Sequence, residues 1–496
     1  MKRSLLGLAL ALVVGAWASA GVAAAAPRTD IVIGMQLEPP HLDPTAGAAA
    51  AIDEVTYANV FEGLTRYGPD GAIHPDLAES WEIAPDGLSW VFHLRPGVTF
   101  HDGTPFTAED VAFSIDRAMA EGSQNAQKRL FQGIASVNVI DDQTVEIALD
   151  EPKASLLANL AWGDAVMVSP ATAESNKTLP VGTGPFKLAN WVQGDRIELE
   201  RNPDYWGTAA KLDKVTFKFI SDPTAAFAAM MAGDVDAFPV FPAPENLPQF
   251  EADPRFTVLV GSTEGETILA MNNARPPLDD PRVRAAIAHA IDRQAIIDGA
   301  MFGYGTPIGS HFPPTNPAYE DLTGLSAYDP ERSKQLLSEA GAAEGLQVTL
   351  ALPPPAYARR GGEIVAAQLR AVGIDVGIAN VEWAQWLEQV FTNKDFDLTI
   401  VAHTEPDDID IYARDDYYFG YRDPVMRALW SGYQRDTAEA DRVELLRAMQ
   451  ERIAARHVNG FLFQLPKTGV ADQRIKGLWV DMPTPANDMT AVEWME

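Results

Sequence analysis

Apolar residues recur along this chain in two rhythms. Ile31-Val-Ile-Gly-Met-Gln-Leu37 is a short apolar run that reads as a buried strand. The proline-rich Glu38-Pro-Pro-His-Leu-Asp-Pro44 behind it cannot continue that strand and reads as a loop. Alternation places Trp90, Phe92 and Leu94 on one face of a second strand, and Val145, Ile147 and Leu149 on one face of a third. Val192-Gln-Gly-Asp195 reads as a hairpin turn, and Val215, Phe217 and Phe219 alternate beyond it. Helical spacing appears at Ala49 to Phe61 and after Thr107-Ala-Glu-Asp110, which has the form of a capping box. Behind that box Val111, Ile115, Ala118 and Met119 share one stripe. Asp222-Pro223 opens a further helix that Gly233 ends.

From about residue 265 helices alternate regularly with short strands. Thr267 to Met271, Leu346 to Leu352, Ile374 to Ile378 and Phe396 to Val401 read as strands. Helices are expected over Pro281 to Ile297, Asp329 to Gly341, Glu363 to Val372, Trp383 to Phe391 and Asp436 to Arg456. This half reads as an α/β unit, and the strand-rich first half as α+β.

Composition narrows the function classes. The chain has 496 residues, of which 47% are hydrophobic, so about three domain-sized units with real cores are expected. Its 69 acidic residues against 38 basic ones give a net charge of −31, which argues against a phosphate-binding, nucleic-acid role. Absence of cysteine excludes disulfides, zinc-thiolate sites, iron–sulfur clusters and thiol nucleophiles. Met1-Lys-Arg-Ser4, the apolar Leu5 to Ala16 and the small residues Ala18 to Ala26 have the order of a secretory signal peptide, with cleavage expected after Ala25. The apolar run, about 12 residues, is shorter than the ~20 a spanning helix needs. With no cysteine at the cleavage site, the exported product is expected free of a lipid anchor and held in the periplasm.

Hydrolase, zinc-protease and phosphate-loop motifs are absent, and the eight histidines never pair at i,i+4. Carboxylate pairs that converge only in space leave a secreted hydrolase open as an alternative of a different class. The most informative stretch is His403-Thr-Glu-Pro-Asp-Asp-Ile-Asp-Ile-Tyr-Ala-Arg-Asp-Asp-Tyr-Tyr418, which follows the C-terminal end of a predicted strand, where α/β domains hold ligands. Asp407, Asp408 and Asp410 crowd three carboxylates together, and their repulsion must be relieved by water, by Arg414 or Arg422, or by a bound cation. Tyr412, Tyr417 and Tyr418 add flat faces with hydroxyl tips. Two readings stand: a cleft that receives a cationic group such as an α-amine, or a solvated acidic loop. Trp383 and Trp386, at i,i+3, fit either a core or a ligand contact.

Several blocks resemble the extracellular solute-binding proteins of the peptide/nickel class. They are Val60-Phe-Glu-Gly-Leu64 with Pro75-Asp-Leu-Ala-Glu-Ser-Trp81, Asp86 to Gly103, Phe106 to Ser114, Gly182 to Phe186, Arg201 to Trp206, Met271-Asn-Asn273 and Pro281 to Ile287. They run in family order over nearly the whole chain. The resemblance implies a bilobal, periplasmic-binding-protein-like α/β fold with a hinge of two crossings and an extra subdomain in lobe one. It implies the following division: signal peptide 1–25, lobe one 26–265 with the extra subdomain at about 62–175, lobe two 266–465, and a return to lobe one at 466–496. The crossings are expected near Gly261 to Ala270 and Phe461 to Lys467. It further implies a monomer without cofactor or catalysis that delivers a peptide or other small amine-bearing solute to the permease of an ABC importer. A metal chelate, a glutathione-like or an opine-like solute is the alternative ligand. Peptide-binding members carry an aspartate in a Gly-Trp-Thr-x-Asp-like loop that pairs with the ligand amine. Here Ala402-His-Thr-Glu-Pro-Asp407 keeps Thr404, has His403 for the tryptophan and displaces the aspartate, which makes Asp407 or Asp408 the expected amine partner. Glu38, Trp383, Asp410 and Tyr417 complete the ligand-binding residues expected from the resemblance and from the acidic loop.

Overall fold

The computed structural model describes residues 28–342, 345–405, 408–436 and 438–495. The expected signal peptide, 1–25, lies outside the described residues.

One mixed sheet runs through both lobes. Its path begins with Asp375–Asn380, Gln347–Leu352 and Leu398–His403, passes through the long strands Phe256–Met271 and Asn459–Asp472, and reaches Ala237–Phe238. It ends with Asp30–Met35, Lys214–Phe219, Arg196–Arg201 and Phe186–Val192, while Thr306–Pro307 pairs on the side of Asn459–Asp472. The two long strands are antiparallel partners: Phe256–Ser262 faces Pro466–Asp472 in the first lobe, and Glu266–Ala270 faces Asn459–Gln464 in the second. The ladder breaks register between Ser262 and Glu266, so the two crossings of the hinge lie side by side. Thr267 to Met271, read as a separate strand, is the last third of a 16-residue strand, whose apolar start at Phe256 to Val260 is parted from it by the polar, glycine-containing Gly261 to Glu266.

The first lobe buries Ile31, Ile33, Val215 and Phe217 together, one face of the strands that alternation predicted. A separate four-stranded antiparallel sheet, in the order Ala78–Ile83, Ser89–Leu94, Thr144–Leu149, Ile134–Asp141, forms the extra subdomain. The helix Ala108–Met119 covers it, and its capping box forms: Asp110 Oδ2 accepts from the Thr107 amide at 2.8 Å. Trp90, Phe92, Leu94, Val145, Ile147, Val111 and Ile115 join in one core. The helix Pro223–Ala232 starts on the Asp222 cap and ends at Gly233, whose φ of 77° favours glycine.

The second lobe packs helices Pro281–His289, Arg293–Met301, Pro330–Glu339 and Ala356–Ala371 against its sheet. The expected helix Pro281 to Ile297 is two helices, because the Asp292 side chain accepts from the Ala295 amide and starts a new one. The helix expected over Ala49 to Phe61 stops at Thr56: Tyr57 is extended and Ala58 has a φ of 59°. Among the described residues no helix is long and apolar enough to cross a membrane.

Candidate functional site

The strand Leu398–His403 pairs with Phe256–Met271 on one side and with Gln347–Leu352 on the other. Its last residues therefore emerge at the edge of lobe two that faces lobe one. There a cavity of about 480 Å³ separates the lobes. Lobe two contributes Glu405, Asp408, Asp410, Arg414, Trp430 and Gln434, and the subdomain of lobe one contributes Arg129, Lys153 and Trp162 among others. A second cavity of about 540 Å³ adjoins it, sharing Tyr67, Lys153 and Gln434, and adds apolar walls from Trp90, Val443 and Leu446. At one point the lobes touch: the Ala154 amide donates to Gln434 Oε1 at 3.0 Å.

The charges on the two walls oppose each other. Asp408 is only 5% exposed. Burial pushes its carboxyl up, but His311 and His403 pull it further down, and the balance lies below the ordinary carboxylate range. Asp410, partly exposed, is raised by burial despite its pair with Arg414, whose Nη2 lies 2.5 Å from Oδ2. Arg414 also stacks over Tyr417, 5.5 Å from the ring centroid. On the opposite wall burial pulls the Lys153 ammonium down to about 8, against the pull of Asp410. Lys153 Nζ donates to the Leu130 and Gln132 carbonyls at 2.7 Å each, which ties down the segment that carries Arg129. Carboxylates predominate on the lobe-two wall, with Arg414 among them, and cations on the lobe-one wall, with Glu151 beside them.

Behind Asp408 the buried polar groups form a chain. His311 Nε2 lies 2.6 Å from Asp408 Oδ1 and 4.0 Å from Glu266 Oε1. His403 turns Nδ1 toward Asp408 Oδ2 at 3.8 Å and hydrogen-bonds through Nε2 to the Tyr418 hydroxyl at 3.2 Å. Burial lowers the His403 pKa. Burial, with the nearby Asp408 charge, pushes the Glu266 carboxyl well above its ordinary range.

The residues expected from the sequence fall into three groups. Asp408, Asp410, His403 and Tyr417 come together at the lobe-two wall, and Arg414 relieves Asp410, whereas Arg422 bonds to the Asp415 carbonyl instead. Thr404 is exposed at the mouth of the same loop, and Asp407 lies outside the described residues. Glu38 and Trp383 are elsewhere. Glu38 accepts from Trp191 Nε1 at 3.0 Å and from the Gly194 amide, which pins the first loop to a hairpin of its own lobe. Trp383 is 41% exposed, 5.6 Å from Trp386 in an edge-on pair. Sequence reasoning missed His311, Glu266, Arg129 and Lys153. His311 stands just ahead of the Pro313 to Pro317 loop, and only its burial beside Phe312, not its spacing, marks it.

Comparison with known proteins adds an independent line. The model of the bacterial extracellular solute-binding proteins, family 5 Middle, matches residues 72–420. The dipeptide-binding protein of Escherichia coli K12 is 32% identical over 349 residues, which span 64% of this chain and 64% of that protein. The chain thus aligns with less than two thirds of that relative's length. The glutathione-binding protein GsiB of Pectobacterium atrosepticum is 30% identical over 368 residues, 73% of this chain and 71% of that one. Among solved structures, the binding protein AgaA of A. tumefaciens R10 in complex with agropinic acid superposes with a TM-score of 0.79 at 26% identity, covering 94% of this chain and 99% of that chain.

Proposed function

This chain belongs to the bacterial extracellular solute-binding proteins of family 5, and from that premise we propose that it is the capture component of an ABC importer, taking a small amine-bearing solute, a short peptide first, into the cleft between its lobes. One observation carries the reading: Asp408 and Asp410 on lobe two stand across the cavity from Arg129 and Lys153 on lobe one, a pairing of charges that matches a zwitterion end to end. The amine goes to Asp408, with Asp410 beside it, and a carboxylate goes to Arg129. His403, Thr404 and Tyr417 flank the amine end, Asp407 is a further amine partner by its place in the sequence, and Glu38 and Trp383, which line neither cavity, are retained only as contacts expected from the family resemblance.

Capture works by closure. A ligand that contacts both walls is bound better when they approach, so it shifts the open–closed equilibrium by the difference in its affinity for the two states. The paired crossing strands are the axis, with lobe one over 26–265, lobe two over 266–465 and a return at 466–496. The closed form docks as a monomer on an inner-membrane permease, after export to the periplasm on the signal peptide and without a lipid anchor. No turnover is part of this role.

A non-peptide ligand is the second reading. It is favoured by His403 where peptide binders carry tryptophan, and by relatives whose names specify glutathione and agropinic acid. Thermal denaturation of the purified protein against dipeptides, glutathione and opines separates the two. Saturable stabilisation by dipeptides, lost in Asp408→Asn, is the expected result. Stabilisation by the other solutes alone overturns the peptide reading, and consumption of any ligand in excess overturns binding without catalysis.

A further inference from the structure

We propose a binding site for a divalent transition-metal ion at the floor of the cleft in lobe two, built from Glu266, His311 and Asp408. The proposal goes beyond the solute-capture reading and does not rest on it.

The three residues come from separate elements: the crossing strand Phe256–Met271, the loop after Thr306–Pro307, and the turn that follows Leu398–His403. Their carboxylate and imidazole ligand atoms all lie within 4.8 Å of one another. In a tetrahedral zinc site, metal–ligand bonds of about 2.0–2.2 Å put donor atoms roughly 3.4 Å apart. The 4.0 Å between His311 Nε2 and Glu266 Oε1 is close to that value, whereas the 2.6 Å contact of His311 with Asp408 is a hydrogen bond that a metal must open to enter. One imidazole with two carboxylates is a donor set that suits zinc or nickel and has too few oxygens for calcium.

Two observations set this cluster apart from an ordinary acidic pocket. The first is its burial: His311 is 0% exposed and Glu266 1%. The second is its incompleteness. Glu266 Oε2 is buried without a hydrogen-bond partner, a polar atom stripped of water with nothing in return. A cation between the two carboxylates offsets their repulsion and takes up a carboxylate that protein groups leave half used. Access comes from Asp408, which also lines the cavity between the lobes. Asp408 presents Oδ1 to His311 and Oδ2 toward His403, which with Glu405 makes a second group of ligand type on the other side. The unpartnered Glu266 Oε2 belongs to the first group, and the site is assigned there. A proton on Glu266 relieves the same repulsion, and the experiment has to separate it from a metal.

The protein, stripped with EDTA and dialysed, is titrated with Zn²⁺ by calorimetry at pH 6 and pH 8, and with Co²⁺ by visible absorption. The expected result is one equivalent bound, tighter at pH 8 because protons compete with the metal for its ligands, with absorption bands of Co²⁺ carrying a nitrogen ligand. Glu266→Gln reproduces the shape of the protonated acid and leaves the His311–Asp408 contact in place, so the variant stays folded. It should weaken Zn²⁺ at least tenfold. His311→Gln should do the same and remove the Co²⁺ bands. Absence of Zn²⁺ binding to the wild type, or binding that neither variant changes, overturns the site and leaves the proton as the occupant. Peptide titrations of the same samples keep the two readings apart: Glu266→Gln retains peptide binding if Asp408 is the amine partner. Competition between Zn²⁺ and peptide is expected when both readings hold.

Discussion

His311 Nε2 stands 2.6 Å from Asp408 Oδ1, and neither side chain is more than 5% exposed. The ring is the nearest partner that keeps a buried carboxylate ionised at the wall of the cleft. Removing one member of such a pair leaves an uncompensated charge. His311→Ala is therefore expected to cost about 3 kcal/mol or more of stability, read by urea denaturation at neutral pH. Asp408→Asn, which removes the charge itself, should cost less.

Arg129 lies on the opposite wall, within electrostatic reach of both Asp408 and Asp410. Arg129→Gln should weaken ligands with a free carboxylate about tenfold, the magnitude of one charge-assisted hydrogen bond. Ligands amidated at that end should bind both forms alike. Calorimetry with a matched acid and amide pair checks this, and equal losses for the two would remove Arg129 from the carboxylate contact.

The lobes meet directly where Gln434 accepts from the Ala154 amide. That bond exists only when the walls are close. Gln434→Ala should lower the apparent affinity about fivefold, the worth of about 1 kcal/mol, by shifting the equilibrium toward the open form. The radius of gyration of the ligand-free protein in X-ray scattering should rise in the variant, and that of the saturated protein should not.

Burial pushes the Asp164 carboxyl up to about 7, behind the cleft residue Trp162. Its raised pKa means the folded protein holds a proton that the unfolded chain has lost. The contribution of this group to stability should then fall as pH rises from about 4 to 7, by on the order of 4 kcal/mol, in the same direction as the raised carboxyls of Asp53, Glu62 and Asp76. Asp164→Asn should make that slope shallower. Denaturation midpoints at pH 4.5, 6 and 8 for both proteins test it.

Much of this fold is legible in the sequence because alternation and capping are local. Trp90, Phe92 and Leu94 had one way to face a core, and Thr107 with Asp110 had one use at a helix start. The loop at Asp408 was legible too, since three carboxylates so close together need a remedy. Its partners were not. His311, Glu266 and Lys153 reach the cleft from segments 97, 142 and 255 residues away from Asp408 in sequence, and no spacing encodes such a meeting. Ala58 shows a local failure: the apolar pattern runs on helically through Phe61, but the tertiary bonds of Tyr57 to the Ala161 carbonyl and the Tyr67 amide favour an extended residue and a left-handed step.

The sheet of lobe one has a further consequence, for the order in which the chain can fold. Its strand Ala237–Phe238 pairs with Asp472's neighbours Ala471 and Val470, Asn59 bonds to Asn487, and Trp494 donates to the Asp30 carbonyl. A chain emerging from its N-terminus first holds most of lobe one yet cannot close it until its last two dozen residues follow. Contacts across such sequence separations form slowly, because the loop must close before they reward it. A polypeptide built this way stays open for as long as it is being made or threaded, and locks only when its tail arrives.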